Sequence, residues 1–93
     1  MNDLKITHAP DRNRFEVEVQ GEVAHLDYER LDDKTVDYQS TWVPPAARDR
    51  GVGHRLVDYA LRWAEQEGLV VIPTCPFVAD VIRENEGLKD SGT

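Results

Sequence analysis

A single cysteine, Cys75, in a chain of 93 residues excludes an internal disulfide and a cysteine-rich metal cage, and it fits a reducing cytoplasm. No apolar run approaches the ~20 residues that a membrane span requires. The opening Met1-Asn2-Asp3-Leu4-Lys5 has neither the basic region nor the apolar stretch of a signal peptide, so a soluble, cytoplasmic protein without a membrane partner is expected. Positive charge is scarce. Eleven Lys and Arg against 18 Asp and Glu give a net charge of −7, and repulsion by phosphates argues against nucleic acid as a partner. There is no repeat, no low-complexity tract and no Gly/Ser linker, and the length leaves no material for a second core. Residues 1–93 therefore read as one domain, with the ordinary composition of 40% hydrophobic and 31% charged residues.

Hydrophobic periodicity divides the chain. In Arg14-Phe15-Glu16-Val17-Glu18-Val19-Gln20 every second residue is apolar, the period of a strand, and Gln20-Gly21-Glu22 supplies a tight turn into Val23-Ala24-His25-Leu26-Asp27-Tyr28. Leu31-Asp32-Asp33-Lys34 is turn-like, and Thr35 to Val43 has the β-branched and aromatic content of another strand, stopped by Pro44-Pro45. With Leu4-Lys5-Ile6-Thr7 as a first strand, the first half is an antiparallel meander. Beyond it the period changes. Leu56, Val57, Ala60, Leu61 and Ala64 fall on one helical face, and Gly68 is placed to end that helix in a left-handed conformation. Leu69 to Ile72 is wholly apolar and reads as a buried strand, parallel to the strand ending at Val43 because a helix connects them. A second helix starts at Pro76 and runs to about Asn85, with Phe77, Val78, Val81 and Ile82 inward, and Lys89 to Thr93 is expected to fray. The fold class is thus α/β with a mixed sheet: meander, helix, parallel strand, helix.

One stretch opposes the acidic average. Around Arg48-Asp49-Arg50-Gly51-Val52-Gly53-His54-Arg55 three arginines face one aspartate, at the junction of a strand and a helix. Two glycines remove Cβ atoms where backbone amides could approach an anion, and a helix start presents free N–H groups at the positive end of its dipole. The common phosphate motifs do not fit: there is no GxxxxGK[ST], and Leu56 stands at the third glycine of GxGxxG. Read alone, the stretch is either an anion cradle or simply a turn.

Arg48-x-x-Gly51-x-Gly53, after a strand ending Val43-Pro44-Pro45 and before an amphipathic helix, resembles the acetyl-CoA loop of the GCN5-related N-acetyltransferase superfamily, Q/R-x-x-G-x-G/A. The layout from about residue 12 to 88 resembles the small, minimal branch of that superfamily, including Thr74-Cys75-Pro76-Phe77-Val78 after the apolar strand. The resemblance implies a sheet splayed between the strand ending at Val43 and the strand Leu69 to Ile72, with acetyl-CoA as co-substrate in the wedge. Amides from Arg50 through Val52 to His54 would hold the pyrophosphate. Arg48, Arg50 and Arg55 would add positive field, and the pantetheine arm would lie along the edge near Val43. It also implies direct attack by an amine without an acyl-enzyme. The acceptor expected is an exposed protein or polyamine amine, drawn by an acidic surface. The alternative is a non-catalytic coenzyme-binding or protein-interaction module.

The chain departs from this pattern at two positions. Asp49 replaces a glycine of the loop, and Trp42 stands where the small branch carries a strand glutamate. Trp42 is then either a covering aromatic or a wall of the acyl pocket, and it cannot take a proton. Cys75 is the remaining candidate for chemistry, as the N-cap of the second helix beside the coenzyme sulfur, or else it is a small buried hydrophobe. His8 and His25 have no companion at metal-ligand spacing and read as ordinary surface or edge residues, so no metal is expected.

Overall fold

The computed structural model describes the backbone of residues 4–91 and the side chains of 4–48 and 50–86. Five strands form one sheet in sequence order: β1 (Thr7–Ala9), β2 (Arg14–Val19), β3 (Glu22–Asp32), β4 (Thr35–Trp42) and β5 (Val70–Ile72). Neighbours are antiparallel except β4 and β5, which run parallel across helix α1 (Val52–Gln66). Helix α2 (Pro76–Ser91) follows β5. The mixed sheet and its two helices are those expected.

Alternation along the strands decides which face is covered. Phe15, Val17, Val19, Ala24, Leu26, Tyr28, Val36 and Tyr38 are buried, and they meet Leu56, Val57, Ala60 and Ala64 of α1 and Val78 and Val81 of α2 in one core. Burial of each large side chain contributes roughly 1.5–3 kcal/mol. The charged residues between them, such as Glu16, Asp27 and Asp37, lie on the opposite, open face. Helix α1 ends in a Schellman motif, with Gly68 in the left-handed region and the Leu69 amide donating to Ala64 O at 2.8 Å.

Four boundaries depart from expectation. The first strand is Thr7–Ala9 instead of Leu4 to Thr7, because Pro10 opens a 3-10 turn immediately after it. Strand β3 continues to Asp32, carried past Tyr28 by irregularities at Asp27/Tyr28 and Arg30/Asp32. Helix α2 passes Asn85 and reaches Ser91, so Lys89 to Ser91 are helical; Gly92 and Thr93 lie outside the described residues. The sharpest correction concerns β5. It is an edge strand whose Val70 and Ile72 are 63% and 39% exposed, because both helices cover the other face and only Val71 turns toward them.

His8 is also not an ordinary edge residue. Its ring stacks on Phe15 at 4.4 Å, meets Trp63 at 4.8 Å, and shares a hydrogen bond of 2.6 Å with the Tyr28 hydroxyl. Burial holds the imidazole below its ordinary 6.5, with Glu67 opposing. The unfolded chain therefore takes up this proton before the folded one. Stability from the neutral ring is complete above pH 6.5 and is lost as pH falls through the lower folded-state value. Glu16 and Asp32 have lowered pKa values and lose their contribution only in the carboxylate range. We expect the unfolding midpoint in urea to fall between pH 7 and about 5, and to fall less in His8→Gln. Equal pH slopes for the two proteins would refute this assignment.

Candidate functional site

The cleft originates in one extra residue. On β3 Leu26 and Tyr28 are two positions apart, while their partners on β4, Thr41 and Tyr38, are three apart. This bulge keeps Tyr38 and Thr41 on the helix face and turns Gln39 and Ser40 outward. Pairing of β4 with β5 stops at the same place: Asp37↔Ile72 is the last pair, and the Cys75 amide donates to Tyr38 O at 2.9 Å as the two paths separate. The side of β4 beyond Tyr38 has no strand partner.

Pro44 and Pro45 then end the strand and start a 3-10 turn, Pro45–Arg50. Gly51 is its last position and the N-cap of α1, at φ 73° and ψ 19°, a left-handed conformation that costs a residue with a Cβ roughly 1–2 kcal/mol. Among the described residues, no side chain caps this helix start. Gly53 and His54, whose amides belong to the first turn of the helix, stand at the edge of a cleft of about 360 Å³. Its walls are Thr41, Trp42 and Val43 from β4, Arg48, Gly51, Gly53 and His54 from the turn and helix, and Phe77 from α2.

Among the expected residues, Val43, Arg48, Gly51, Gly53 and His54 are brought together here. Arg48 folds back, its Nε donating to Val43 O at 2.8 Å. His54 contacts Glu84 through Nε2 at 3.2 Å and meets the edge of Phe77 at 5.1 Å. Val52, expected to offer its amide to the ligand, is instead buried as a whole residue beneath the loop and does not line the cleft, because its side chain anchors the start of α1 in the core. Arg50 reaches instead toward the β2–β3 turn, where the Gln20 amide oxygen can accept from its guanidinium at 3.1 and 3.2 Å. Arg55 is exposed and does not line the cleft; the Asp49 side chain lies outside the described residues. Gly53 serves a purpose the motif alone did not reveal. A Cβ there would come within 3.0 and 3.1 Å of the Phe77 ring and 3.5 Å of Val43, so the absent side chain lets α1 close against α2. Phe77 itself was legible only as a core residue.

Cys75 is the N-cap of α2, its carbonyl accepting from the Ala79 amide at 3.1 Å. Its thiol is 5% exposed, belongs to the core, and is 3.6 Å from Thr41 Oγ1, behind the cleft wall. Among the described residues, no three His, Cys, Asp or Glu side chains are grouped so as to hold a metal, and no helix is long and apolar enough to cross a membrane.

The family model for GCN5-related N-acetyl-transferase matches residues 14–91. The chain is 34% identical to Protein NATD1 of Xenopus tropicalis over 86 residues, covering 90% of this chain and 79% of that protein. It is 33% identical to Protein NATD1 of Homo sapiens over 84 residues, covering 88% of this chain and 74% of that one. The solution structure of a GCN5-like protein from Staphylococcus aureus superposes with a TM-score of 0.71 at 22% identity, covering 97% of this chain and 88% of the other. The chain belongs to the GCN5-related N-acetyltransferase family.

Two outcomes test this geometry. Gly53→Val should lower stability to urea by about 1–3 kcal/mol through the clash with Phe77; an unchanged midpoint would refute the close packing. Cys75 should react with iodoacetamide only as slowly as the protein opens, and Cys75→Ala should cost about 1 kcal/mol. Alkylation at the rate of a free thiol would contradict its place in the core.

Proposed function

We propose that this chain binds acetyl-CoA in the cleft and transfers the acetyl group to an amine by direct attack. The observation that carries this reading is the uncapped, glycine-started N-terminus of α1 opening onto a β4 edge without a strand partner. The amides of Gly53 and His54 would hold phosphate oxygens at the positive end of the helix dipole, with Arg48 adding charge. Backbone groups of β4 beyond Tyr38 would pair with the amides of the pantetheine arm, while Val43 and Phe77 supply apolar contact. When bound, acetyl-CoA supplies a thioester open to attack by an amine. The protein's part is to hold the reacting atoms together and to exclude competing geometries.

The acceptor we favour is an exposed cationic amine, on a protein lysine or a polyamine. The open face of the sheet supports this, since Glu16, Glu18, Asp27, Glu29 and Asp37 project from it. In direct transfer Cys75 has no obligatory step, and its burial behind Thr41 agrees with that. A cytoplasmic setting accords with the single reduced thiol. The competing reading is a coenzyme-binding module without catalysis, favoured by Trp42 in place of a strand carboxylate.

Calorimetry with acetyl-CoA is expected to give saturable binding that Gly51→Val abolishes while circular dichroism stays unchanged, because the altered turn would displace the amides. Equal affinity of folded Gly51→Val would overturn the cradle. Thiol release from acetyl-CoA in the presence of spermidine separates an enzyme from a binding module.

A further inference from the structure

His25 lies on the open face at the centre of a built arrangement. It is the register partner of Trp42 on β4 and of Glu16 on β2. Its ring stacks on the Trp42 indole, centroids 5.9 Å apart and planes at 29°, and that indole is part of the cleft wall. Its Nδ1 is 3.2 Å from Asp27 Oδ1. Asp27 is held in turn by Arg14 Nε, donating to the same oxygen at 3.0 Å, and by Ser40 Oγ, donating to the other at 3.1 Å. A carboxylate only accepts, so the neutral imidazole carries its proton on Nδ1 and leaves a lone pair on Nε2. Among the described residues Nε2 has no protein hydrogen-bond partner, and the side chain is 22% exposed.

Three other bases of this face are engaged, whereas Glu18 is exposed and has no side-chain partner among the described residues. Asp37 accepts from Thr74 Oγ1 at 2.6 Å, Glu29 from Gln39 Nε2 at 3.0 Å, and Glu16 from Arg12 at 2.8 Å. We propose that His25, oriented by Asp27 and backed by Trp42, is the proton acceptor for the incoming amine, in place of the carboxylate missing at position 42. This rests on the acetyl-transfer reading. In the step, the acceptor, neutral after its ammonium proton has passed to solvent, forms a bond from nitrogen to the acetyl carbonyl carbon and the carbon–sulfur bond breaks. The nitrogen's proton passes to His25 Nε2, directly or through one water, and returns from the imidazolium to the departing sulfur. An amine and a thioester become an amide and a thiol, and nothing is oxidised. The charged groups facing the imidazole are Asp27 beside it, Glu16 and diagonally Glu18 on β2, and Arg14 through Asp27; β4 contributes the uncharged Trp42 and Ser40.

The test combines turnover with two readouts independent of it. With acetyl-CoA and spermidine as probes, His25→Gln should lower kcat on the order of 10²-fold and remove the acidic limb of the pH profile, while calorimetry gives acetyl-CoA affinity within about threefold of wild type. Asp27→Asn should lose about tenfold, and adding Trp42→Glu to His25→Gln should restore at least about tenfold, since a carboxylate returns to the strand. In protein saturated with coenzyme A, spermidine should shift the His25 imidazole NMR signals. His25→Gln within about twofold of wild type, a retained acidic limb, or unmoved imidazole signals would overturn the assignment while leaving acetyl transfer intact. A wild-type protein that binds acetyl-CoA but releases no thiol with spermidine would overturn it too. Failure of the wild type to bind acetyl-CoA would instead remove the reading on which it rests.

Discussion

Tyr38 is where the molecule is tied together and where it opens. Its hydroxyl donates to the carbonyl of Ala60 in α1 at 2.6 Å, and its own carbonyl accepts the Cys75 amide at the start of α2. Burial raises its phenol far above the ordinary tyrosine range, so it remains a donor at any physiological pH. Three residues of parallel pairing precede it, and none follows. With the sheet fastened to both helices at that point, the extra residue of β4 can divert the strand without loosening the core. The diverted strand and the two helix starts then enclose the cleft. Gly53 closing on Phe77 sets how near those helix starts come.

Covering only one face of the sheet has a second consequence. Everything that alternates away from the helices must be satisfied by its neighbours on the open face or by solvent. The charged residues do this in pairs, Arg14 with Asp27 and Arg12 with Glu16. Partly exposed pairs of this kind contribute little stability, about 0–1 kcal/mol each. Their structural effect is orientation: Asp27, held on both oxygens, fixes the imidazole of His25 against Trp42. The apolar Val70 and Ile72 remain at the free edge with no such compensation among the described residues.

Family membership and fold agree, and Trp42 joins the cleft wall to the open face by stacking on His25. An indole at this position offers area and a stacking face, and no charge. The titratable group beside it comes from β3, where His25 is its register partner.

Much was legible from pattern alone. Period-two alternation from Arg14 to Val19 set the covered face of β2, the i, i+4 spacing of Leu56, Ala60 and Ala64 set the core side of α1, and Gly68 marked its end. Arg48-x-x-Gly51-x-Gly53 marked the loop, because the need for a left-handed residue at Gly51 is local and shows in residue type. What local chemistry does not encode is which surfaces meet. An apolar run such as Leu69 to Ile72 reads the same in the middle of a sheet or at its edge, and only the placement of both helices on one face left Val70 exposed. Arg48 and Arg50 are two residues apart, yet one lines the cleft and the other turns to Gln20, since the direction of a long side chain depends on partners from elsewhere in the chain. His8 and His25 looked equally solitary. The sheet buried one among aromatic rings and set the other beside Asp27 and Trp42, because strand register, a long-range property, brings together residues that the sequence keeps far apart.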